Sequence, residues 1–528
     1  MYLFLKNIFP TFVKSNDMNL RRHSESTLRW TTATGMAALG LAAAYIMLHF
    51  SNYLYKFHAT SLFLDTGDWF AAHFEKPAAL LLYAGRFLTQ FCCYPVVAVL
   101  LLTVLYAAIT WLTGRYFLRG SRLPFLAVLP ALALYVSLMR IGYGVLVFRA
   151  DALIFTEPLG ILSALLLWRL LDSLPSGSGW PYAAVPMAAL LGYPLLGCYA
   201  LLALLIHAAG TLTHGTGQMR WLLPLEDLAC LLAVPALEYA LFYRHSVWNY
   251  LWFQGAPFLD YIGAPLEWIP LAAAAALPVI FALLRSKERP VRLWQSAATL
   301  ALCAGAVVCV YLLPYRDGLF HRQMAAERAI ERGDWNKVAE RTCPLQVTNE
   351  VLVAYRNCAL FAQGRLEESC TNYSFHTIPI VVGNREYSSS IVAGPTIFFY
   401  SGLLNFSARI SSEISLYANY ATERWKYLAK VALFNGEREL ALKYLETLSH
   451  TTLQKGWARK YRYLLDHPER LAEDPEYKLL MPLQDYEETR WMPSDNAAAN
   501  VILFYQYVPG RSPEMQQWNR AAEKMAAR

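Results

Sequence analysis

Charged residues are scarce in this chain. Only 16% of the 528 residues are Asp, Glu, Lys or Arg, and 56% are hydrophobic, whereas soluble domains are about 25% charged. The deficit lies before Tyr315, where only 20 basic and 14 acidic residues occur; the shorter remainder carries 26 and 25. A single soluble domain is therefore excluded, and a large part of the chain is expected to lie in lipid.

Several familiar motifs are also missing. No Lys/Arg-rich run with interleaved aromatic residues occurs, which argues against nucleic acid as a partner. There is no C-x-x-C, no G-x-x-x-x-G-K-[ST], no H-E-x-x-H and no G-x-S-x-G. Six of the nine cysteines lie in apolar stretches, where a thiol behaves as a small hydrophobic group. Zinc-ribbon, P-loop ATPase, metalloprotease and serine-hydrolase chemistry are thus poorly supported.

Long apolar stretches dominate the part of the chain before Tyr315. A helix needs about 20 apolar residues to cross a hydrocarbon core of about 30 Å. The first stretch has that length and no small-residue cleavage site after it, which favours an uncleaved anchor over a signal peptide. Nine spans are predicted, at 31–50, 93–113, 124–140, 153–172, 181–193, 194–210, 221–242, 267–285 and 293–314.

The placement of basic residues gives the orientation. With nine spans and a cytoplasmic N-terminus, the cytoplasmic segments hold the basic residues at 21, 22, 29, 115, 119, 122, 169 and 220 and the cluster at 285–292, as the positive-inside rule requires. With eight spans, 181–210 being one helix, that cluster falls outside. The split is expected at Gly192-Tyr193-Pro194, because proline breaks the helical hydrogen-bond ladder. We therefore predict a cytoplasmic segment (1–30), a transmembrane domain (31–314) and an extracytoplasmic domain (315–528).

The last domain reads as helical. Alanine- and leucine-rich helices are interrupted at Gly333, Gly364 and Gly436. Around Gly436 the pattern resembles a tetratricopeptide helix pair, in which small residues let two antiparallel helices pack closely. Since the second interval between these glycines is more than twice the first, a regular array is not expected. Residues 374–404 read as a long loop with possible short strands. The fold class is all-α: a helical membrane bundle followed by a soluble, tetratricopeptide-like domain.

The first outer loop holds the candidate chemistry. Asp65 and Asp68, three residues apart, precede an amphipathic stretch at 83–91 that fits the membrane interface. Two such carboxylates above a membrane bundle could bind a divalent cation or act as a general base. The alternative is a solvated juxtamembrane loop, because D-x-x-D pairs are common by chance.

Ionisable groups inside the predicted spans are few. Glu238 lies in the seventh span, with Glu226 and Asp227 near its inner end, and His207 is isolated in the sequence. Such groups are costly in lipid and often functional. Three scattered acids do not make a proton relay, however, and a transporter is the least supported interpretation.

The order of these features is similar to the GT-C superfamily of integral-membrane glycosyltransferases, which place an acidic pair in the first outer loop, before a juxtamembrane helix. That resemblance implies that Asp65 and Asp68 are catalytic and that the donor is a sugar on a polyprenyl phosphate. It also implies that outer-face arginines hold the phosphate; the candidates are Arg86, Arg149 and Arg244.

The whole chain also looks like an uncharacterised family of bacterial envelope proteins, a domain of unknown function. The segments that carry this resemblance are GRFLTQF at 85–91 and YLAKVALFNGE at 427–437. It implies an inner-membrane location with a periplasmic C-terminal domain. Two functions remain open: a glycosyltransferase, or a non-catalytic scaffold whose tetratricopeptide-like domain binds a periplasmic protein. A cavity lined by Asp65, Asp68 and Arg86 would favour the enzyme.

Overall fold

The computed structural model is an all-α protein with a few short strands. It describes residues 10–118, 121, 123–147, 153–175, 179–215, 219–245, 248–256, 265–284, 294–343, 347–369, 376–377, 379–382, 385–417, 421–483, 516–517 and 519–520.

The first thirteen helices form the apolar part. Short 3₁₀ segments at Gln90–Cys93, Pro124–Val128 and Trp248–Phe253 connect some of them. The helices are α1 (Pro10–His49), α2 (Ser51–Ala59), α3 (Gly67–His73), α4 (Ala79–Thr89), α5 (Pro95–Tyr116), α6 (Leu129–Arg140), α7 (Gly144–Val147), α8 (Leu153–Asp172), α9 (Trp180–Leu196), α10 (Cys198–His214), α11 (Met219–Leu241), α12 (Pro265–Leu284) and α13 (Trp294–Leu312).

Each of the nine predicted apolar segments is helical. Four helices among the described residues are long and apolar enough to cross a membrane: Ser26–His49, Pro95–Tyr116, Ile154–Asp172 and Trp294–Leu312. Shorter apolar helices occur at Pro124–Arg140, Cys198–His214 and Trp268–Leu284. The apolar residues of this part of the chain therefore lie mainly in helices, whose backbone polar groups are hydrogen-bonded within each helix.

Residues 181–210 form two helices, but the predicted break point was wrong. Pro194 lies inside α9, and the chain turns at Gly197, whose φ of +61° and ψ of −134° favour glycine. A Cβ there would lie 2.1 Å from the backbone oxygen of Gln254. That oxygen accepts a hydrogen bond from the N–H of Cys198 at 2.7 Å. The helix therefore ends at Gly197 because the backbone of Gln254 approaches closely there, and not because of Pro194.

The first and last long apolar helices pack side by side. Gly35 of α1 lies against Cys303 of α13. A Cβ at Gly35 would lie 3.2 Å from Sγ of Cys303, so the glycine allows the two helices to pack closely. Because α2 directly follows α1, and the C-terminal helices directly follow α13, this packing brings α2 beside the C-terminal domain.

The C-terminal domain continues the helix order. Its helices are α14 (Gly318–Glu331), α15 (Trp335–Arg341), α16 (Glu350–Ala362), α17 (Leu366–Ser369), α18 (Ser389–Tyr400), α19 (Leu404–Tyr417), α20 (Thr422–Phe434), α21 (Arg438–Ser449), α22 (Lys455–Asp466), α23 (Pro468–Leu471) and α24 (Pro475–Leu480).

Four glycine turns make consecutive helical hairpins: α14–α15, α16–α17, α18–α19 and α20–α21. At each turn the glycine has a positive φ, and the next residue's N–H bonds to a carbonyl five residues back, as in a Schellman cap. Three of the glycines were predicted as turns. The fourth, Gly402, divides the long second interval into two of similar length, so that the turns are nearly evenly spaced. They are Gly333, Gly364, Gly402 and Gly436.

Residues 374–404 are more ordered than the predicted loop. Strands Ile380–Val382 and Arg385–Tyr387 form an antiparallel pair, and α18 follows at once. The helix was missed because Gly394-Pro395 breaks the helical pattern. It forms because Phe398 and Phe399 are fully buried, and because the Ser407 hydroxyl donates to the carbonyl of Pro395 at 2.7 Å. A second, parallel pair joins Val347–Thr348 to His376–Thr377.

Candidate functional site

A cavity of about 560 Å³ lies where α2 meets the helical hairpins. Its walls come from α2, α14, α15, α18, α20, α22 and α24, and they carry charged groups of both signs together with aromatic rings. A volume of this size is typical of small-molecule sites. The aromatic residues are Tyr55, Trp335, Tyr400, Tyr427, Trp457 and Tyr461.

Lys56 of α2 binds two helices of the C-terminal domain. Its Nζ lies 2.7 Å from a carboxylate oxygen of Glu327 on α14 and 2.7 Å from one of Glu423 on α20. The lysine is buried. Burial alone would lower the pKa of Lys56, but the two carboxylates outweigh that effect and raise it above its usual value. The ammonium is therefore charged at neutral pH and holds α2 against α14 and α20.

A second set of contacts lies one turn further along α14. The Tyr55 hydroxyl donates to Glu331, and Nζ of Lys426 lies 2.8 Å from the same carboxylate. Burial raises the pKa of Glu331, but the Lys426 ammonium and the tyrosine hydrogen bond outweigh it and bring this pKa to about 2. Glu331 is consequently ionised through the whole neutral range.

The opposite wall is organised by Glu476. Its carboxylate accepts from the hydroxyl of Tyr400 at 2.6 Å and from that of Tyr461 at 3.3 Å, and it lies 2.8 Å from Nζ of Lys430. Burial acts to raise the pKa of Glu476, yet Lys430 and the two hydroxyls hold it below its usual value. These bonds fix the positions of the rings that face the cavity.

The chain after α2 is also attached to the C-terminal domain. The backbone oxygen of Ser61 accepts from the N–H of Thr422 at 3.1 Å and from its hydroxyl at 2.5 Å. The N–H of Asp65 donates to the carbonyl of His450 at 2.9 Å. The Asp65 carboxylate lies 2.9 Å from Nζ of Lys455 and 3.2 Å from Nδ1 of His450.

The two predicted acids are placed differently from each other. The hydrogen bond from Lys455 lowers the pKa of Asp65, and Asp65 joins the first loop to the C-terminal domain. Asp68 lies exposed in the first turn of α3, a helix capped by the Thr66 hydroxyl, which accepts from the N–H of Trp69 at 3.3 Å. Neither acid lines the cavity.

Two of the predicted phosphate-binding arginines, Arg86 and Arg244, do not line the cavity either. Nη1 of Arg86 lies 3.0 Å from Nε2 of His73, and its guanidinium lies 5.5 Å from the centre of the Trp69 ring, so it is near the helix of Asp68. Arg244 is exposed beyond the end of α11 and donates to the carbonyl of Ala240 at 2.8 Å. Arg149 lies outside the described residues.

Sequence reasoning missed the residues that form the cavity. A usable signal was present for α14: residues 327, 328, 331 and 332 repeat acid and arginine at a spacing of four, which puts both pairs on one helix face. Lys56 gave a weaker signal, a single cation among the aromatic residues that follow the first span. Nothing local in the sequence indicated that these two segments meet.

His207 is not isolated in three dimensions. Its Nδ1 lies 2.8 Å from Oδ2 of Asp227, which joins α10 to α11, and both side chains are buried. The pair gives each of these ionisable groups a partner inside the apolar bundle, which supports a structural role for both.

Because His58 is buried between α2 and the C-terminal domain, we expect the stability of the protein to depend on pH. Burial lowers the pKa of His58 to about 4, and its Nε2 accepts from the amide of Gln454 at 3.0 Å. A histidine with a lowered pKa gives its full stabilisation above the unfolded value of about 6.5 and loses it as pH falls towards 4. Between pH 7.5 and pH 5 the loss is about 2 kcal/mol.

Thermal unfolding of the full-length protein in detergent at the two pH values measures this loss. His58→Gln, which keeps an acceptor but cannot be protonated, should remove that part of the pH dependence. An unchanged pH dependence in the glutamine variant would show that His58 does not contribute.

Comparison with known proteins gives one result. No curated protein matches the chain, and no solved structure does. A family model described as a family of unknown function, DUF6057, matches residues 27–510, which covers both the apolar helices and the hairpins. The chain belongs to the family of unknown function DUF6057.

Proposed function

We propose that this protein is a multi-pass protein of the cell inner membrane whose periplasmic helical domain closes on α2 and binds a ligand in the cavity between them, without catalysing a reaction. The observation that carries the proposal is the composition of the cavity. Charged and aromatic side chains converge there from both parts of the chain, and Asp65 and Asp68 are absent from its walls.

The contact between α2 and the hairpins supports the nine-span topology. The first helix leads directly into α2, and the last apolar helix leads directly into α14. Two segments that touch must lie on the same side of the membrane, which requires an odd number of spans. Eight spans, or the four long helices alone, would place them on opposite sides.

Contacts among the predicted outer connections support the same topology, because under the nine-span count they belong to one side. The positive-inside pattern then assigns that side to the periplasm and the N-terminus to the cytoplasm. The hydrogen bonds are Ala78 N–H to Tyr193 O at 3.4 Å, Cys198 N–H to Gln254 O at 2.7 Å, His245 Nε2 to Glu75 O at 2.7 Å, Asn349 Nδ2 to Tyr143 Oη at 2.9 Å and Tyr315 N–H to Met139 O at 2.8 Å.

The tetratricopeptide-like character of the domain is part of the proposal. Tetratricopeptide repeats are helical hairpins with a fixed period, and the turns at Gly333, Gly364, Gly402 and Gly436 follow one another at intervals close to that period. Arrays of stacked hairpins present extended binding surfaces. This spacing supports a binding function for the domain.

The glycosyltransferase remains a second candidate. The observation that favours it is the exposed carboxylate of Asp68, on the same short helix as His73, which contacts Arg86. In that case Asp68 would act as a general base or hold a divalent cation against a polyprenyl-phosphate donor.

Complementation separates the two functions. In a deletion strain whose envelope defect is rescued by the wild-type gene, we expect Trp457→Ala to lose the rescue, because it removes an aromatic wall of the cavity. Asp68→Asn should rescue fully. Trp221→Ala is the matched control, since Trp221 is 66% exposed on α11 and does not line the cavity.

The amounts of all three variants in the membrane fraction are compared by immunoblot. Rescue by Trp457→Ala together with failure of Asp68→Asn would overturn the binding function and favour the enzyme.

A further inference from the structure

The charges that line the cavity do not balance in pairs. Six Lys/Arg and five Asp/Glu side chains line it. All five acids lie within 4 Å of a lysine, and the four lysines of the cavity are used in those pairs. Two arginines, Arg328 in the last turn of α14 and Arg332 directly after this helix, have no ion pair with a carboxylate among the described residues. The pairs are Lys56 with Glu327 and Glu423, Lys426 with Glu331, Lys430 with Glu476, and Lys460 with Asp474.

The two arginines lie about one helical turn apart at the C-terminal end of α14. Their spacing of four residues puts them on one helix face. Nη1 of Arg328 donates to Oδ1 of Asn52 at 3.0 Å, and its guanidinium lies 4.8 Å from the centre of the Tyr55 ring. Nε of Arg328 is buried and has no acceptor within the described part of the chain. The guanidinium thus contacts an amide and an aromatic ring, and no carboxylate of the described residues lies within ion-pair distance of it.

Electrostatics favours an anion at the same place. Burial lowers the pKa of Arg328, the positive charge of Arg332 lowers it further, and the nearby Glu331 carboxylate offsets only part of this effect. Two like charges one turn apart repel each other unless a negative group lies between them. Arg332 is exposed, so its guanidinium can move to meet an incoming group.

Aromatic rings stand around this cationic corner. The Gly333 turn comes directly after Arg332, and Trp335 is the first residue of the helix that follows this turn. Trp457 and Tyr461, which also line the cavity, lie with ring centres 4.2 Å apart at an interplanar angle of 30°. Flat apolar faces with hydroxyl groups nearby suit a ring-shaped, polar body better than an alkyl chain.

We propose that Arg328 and Arg332 hold the carboxylate or phosphate of a small sugar-like molecule whose ring lies against the aromatic side chains of the cavity. The inference rests on the proposed binding function and names the ligand class for that cavity. The two anionic groups share the chemistry that a pair of guanidinium forks recognises.

Isothermal titration of the full-length protein in nanodiscs with four probes tests this inference. The probes are glucuronate, glucose 6-phosphate, glucose and inorganic phosphate. We expect at least one of the two sugar acids to bind about tenfold or more tightly than glucose, since a charge-assisted hydrogen bond contributes about 1.5–3 kcal/mol. Glucuronate and glucose 6-phosphate distinguish the carboxylate from the phosphate.

Two variants assign the binding to the arginines. Arg332→Gln, at an exposed position, should weaken binding of the preferred sugar acid about tenfold or more. Arg459→Gln is the matched control, because Arg459 is an exposed arginine of α22 that does not line the cavity. It should bind like the wild type.

Three outcomes would overturn the inference: no sugar acid binds, Arg332→Gln binds the sugar acid like the wild type, or inorganic phosphate binds as tightly as the sugar acids. Failure of the ligand class is distinguishable from failure of the binding function. If no sugar acid binds but Trp457→Ala still abolishes rescue, only the ligand class is wrong.

Discussion

Replacing Lys56 with methionine should destabilise the protein by about 3–5 kcal/mol, the cost of removing one partner from a buried ion pair. Methionine keeps most of the length and apolar surface of the side chain but removes the ammonium. Glu327, whose side chain is 7% exposed, would then be a buried carboxylate without its cation. The Glu423 side chain is 28% exposed. Loss of the lysine should therefore cost less stability at Glu423, because water can solvate its carboxylate. Chemical denaturation of the full-length protein in detergent measures the change.

Two further variants separate the charge effect from packing. Lys337→Met is the matched control: Lys337 is 65% exposed in its pair with Asp334, and its loss should cost less than about 1 kcal/mol. Combining Lys56→Met with Glu327→Gln and Glu423→Gln should recover most of the lost stability, since no uncompensated charge remains. If the triple variant is as unstable as Lys56→Met, the loss comes from packing and the ion-pair explanation is wrong.

Gly402→Ala should also have a large effect, about 3 kcal/mol, the sum of a conformational and a packing cost. The glycine has a φ of +80°, where a side chain costs about 1–2 kcal/mol. A Cβ at this position would also lie 2.3 Å from Cβ of Leu483, which must move away. Because that Cβ is close to the backbone, the displacement adds an overpacking cost of about 1–3 kcal/mol.

Gly436→Ala provides the matched comparison. Gly436 has nearly the same φ, +75°, in the same kind of turn, but a Cβ there would meet nothing within 4 Å. The Gly436→Ala variant should therefore lose only the conformational part of the stability, about 1–2 kcal/mol. Thermal unfolding of both variants gives the difference. Equal losses would mean that the contact between the Gly402 turn and Leu483 does not constrain the domain.

These two glycines show what the sequence could and could not predict about the fold. The apolar segments are long and continuous and could be found from length and hydropathy, and the structure shows them as helices. The Gly436 turn stands between two clear helical patterns and could be predicted. Gly402 could not, because Gly394-Pro395 obscures the helix before it, and that helix is stabilised by burial of Phe398 and Phe399 rather than by local preference.

The candidate site was harder to predict, because its parts are far apart in the chain. Lys56 and Glu423 are separated by 367 residues, and no local pattern links them. Asp65 was predicted from the sequence to be one of two catalytic acids. In the structure its carboxylate pairs with Lys455. A short acidic motif alone cannot distinguish a catalytic carboxylate from one that joins two domains.

Zero-length carbodiimide cross-linking tests the central claim, that the segment after α1 packs on the C-terminal domain and forms the cavity with it. The Asp65 carboxylate and the Lys455 ammonium lie 2.9 Å apart and are 36% and 51% exposed, so the reagent can reach both. The docked structure predicts a cross-linked peptide pair containing these residues, in a yield similar to that for Glu331 and Lys426, which lie 2.8 Å apart within the hairpin domain. Formation of the Glu331–Lys426 product without the Asp65–Lys455 product would contradict the account.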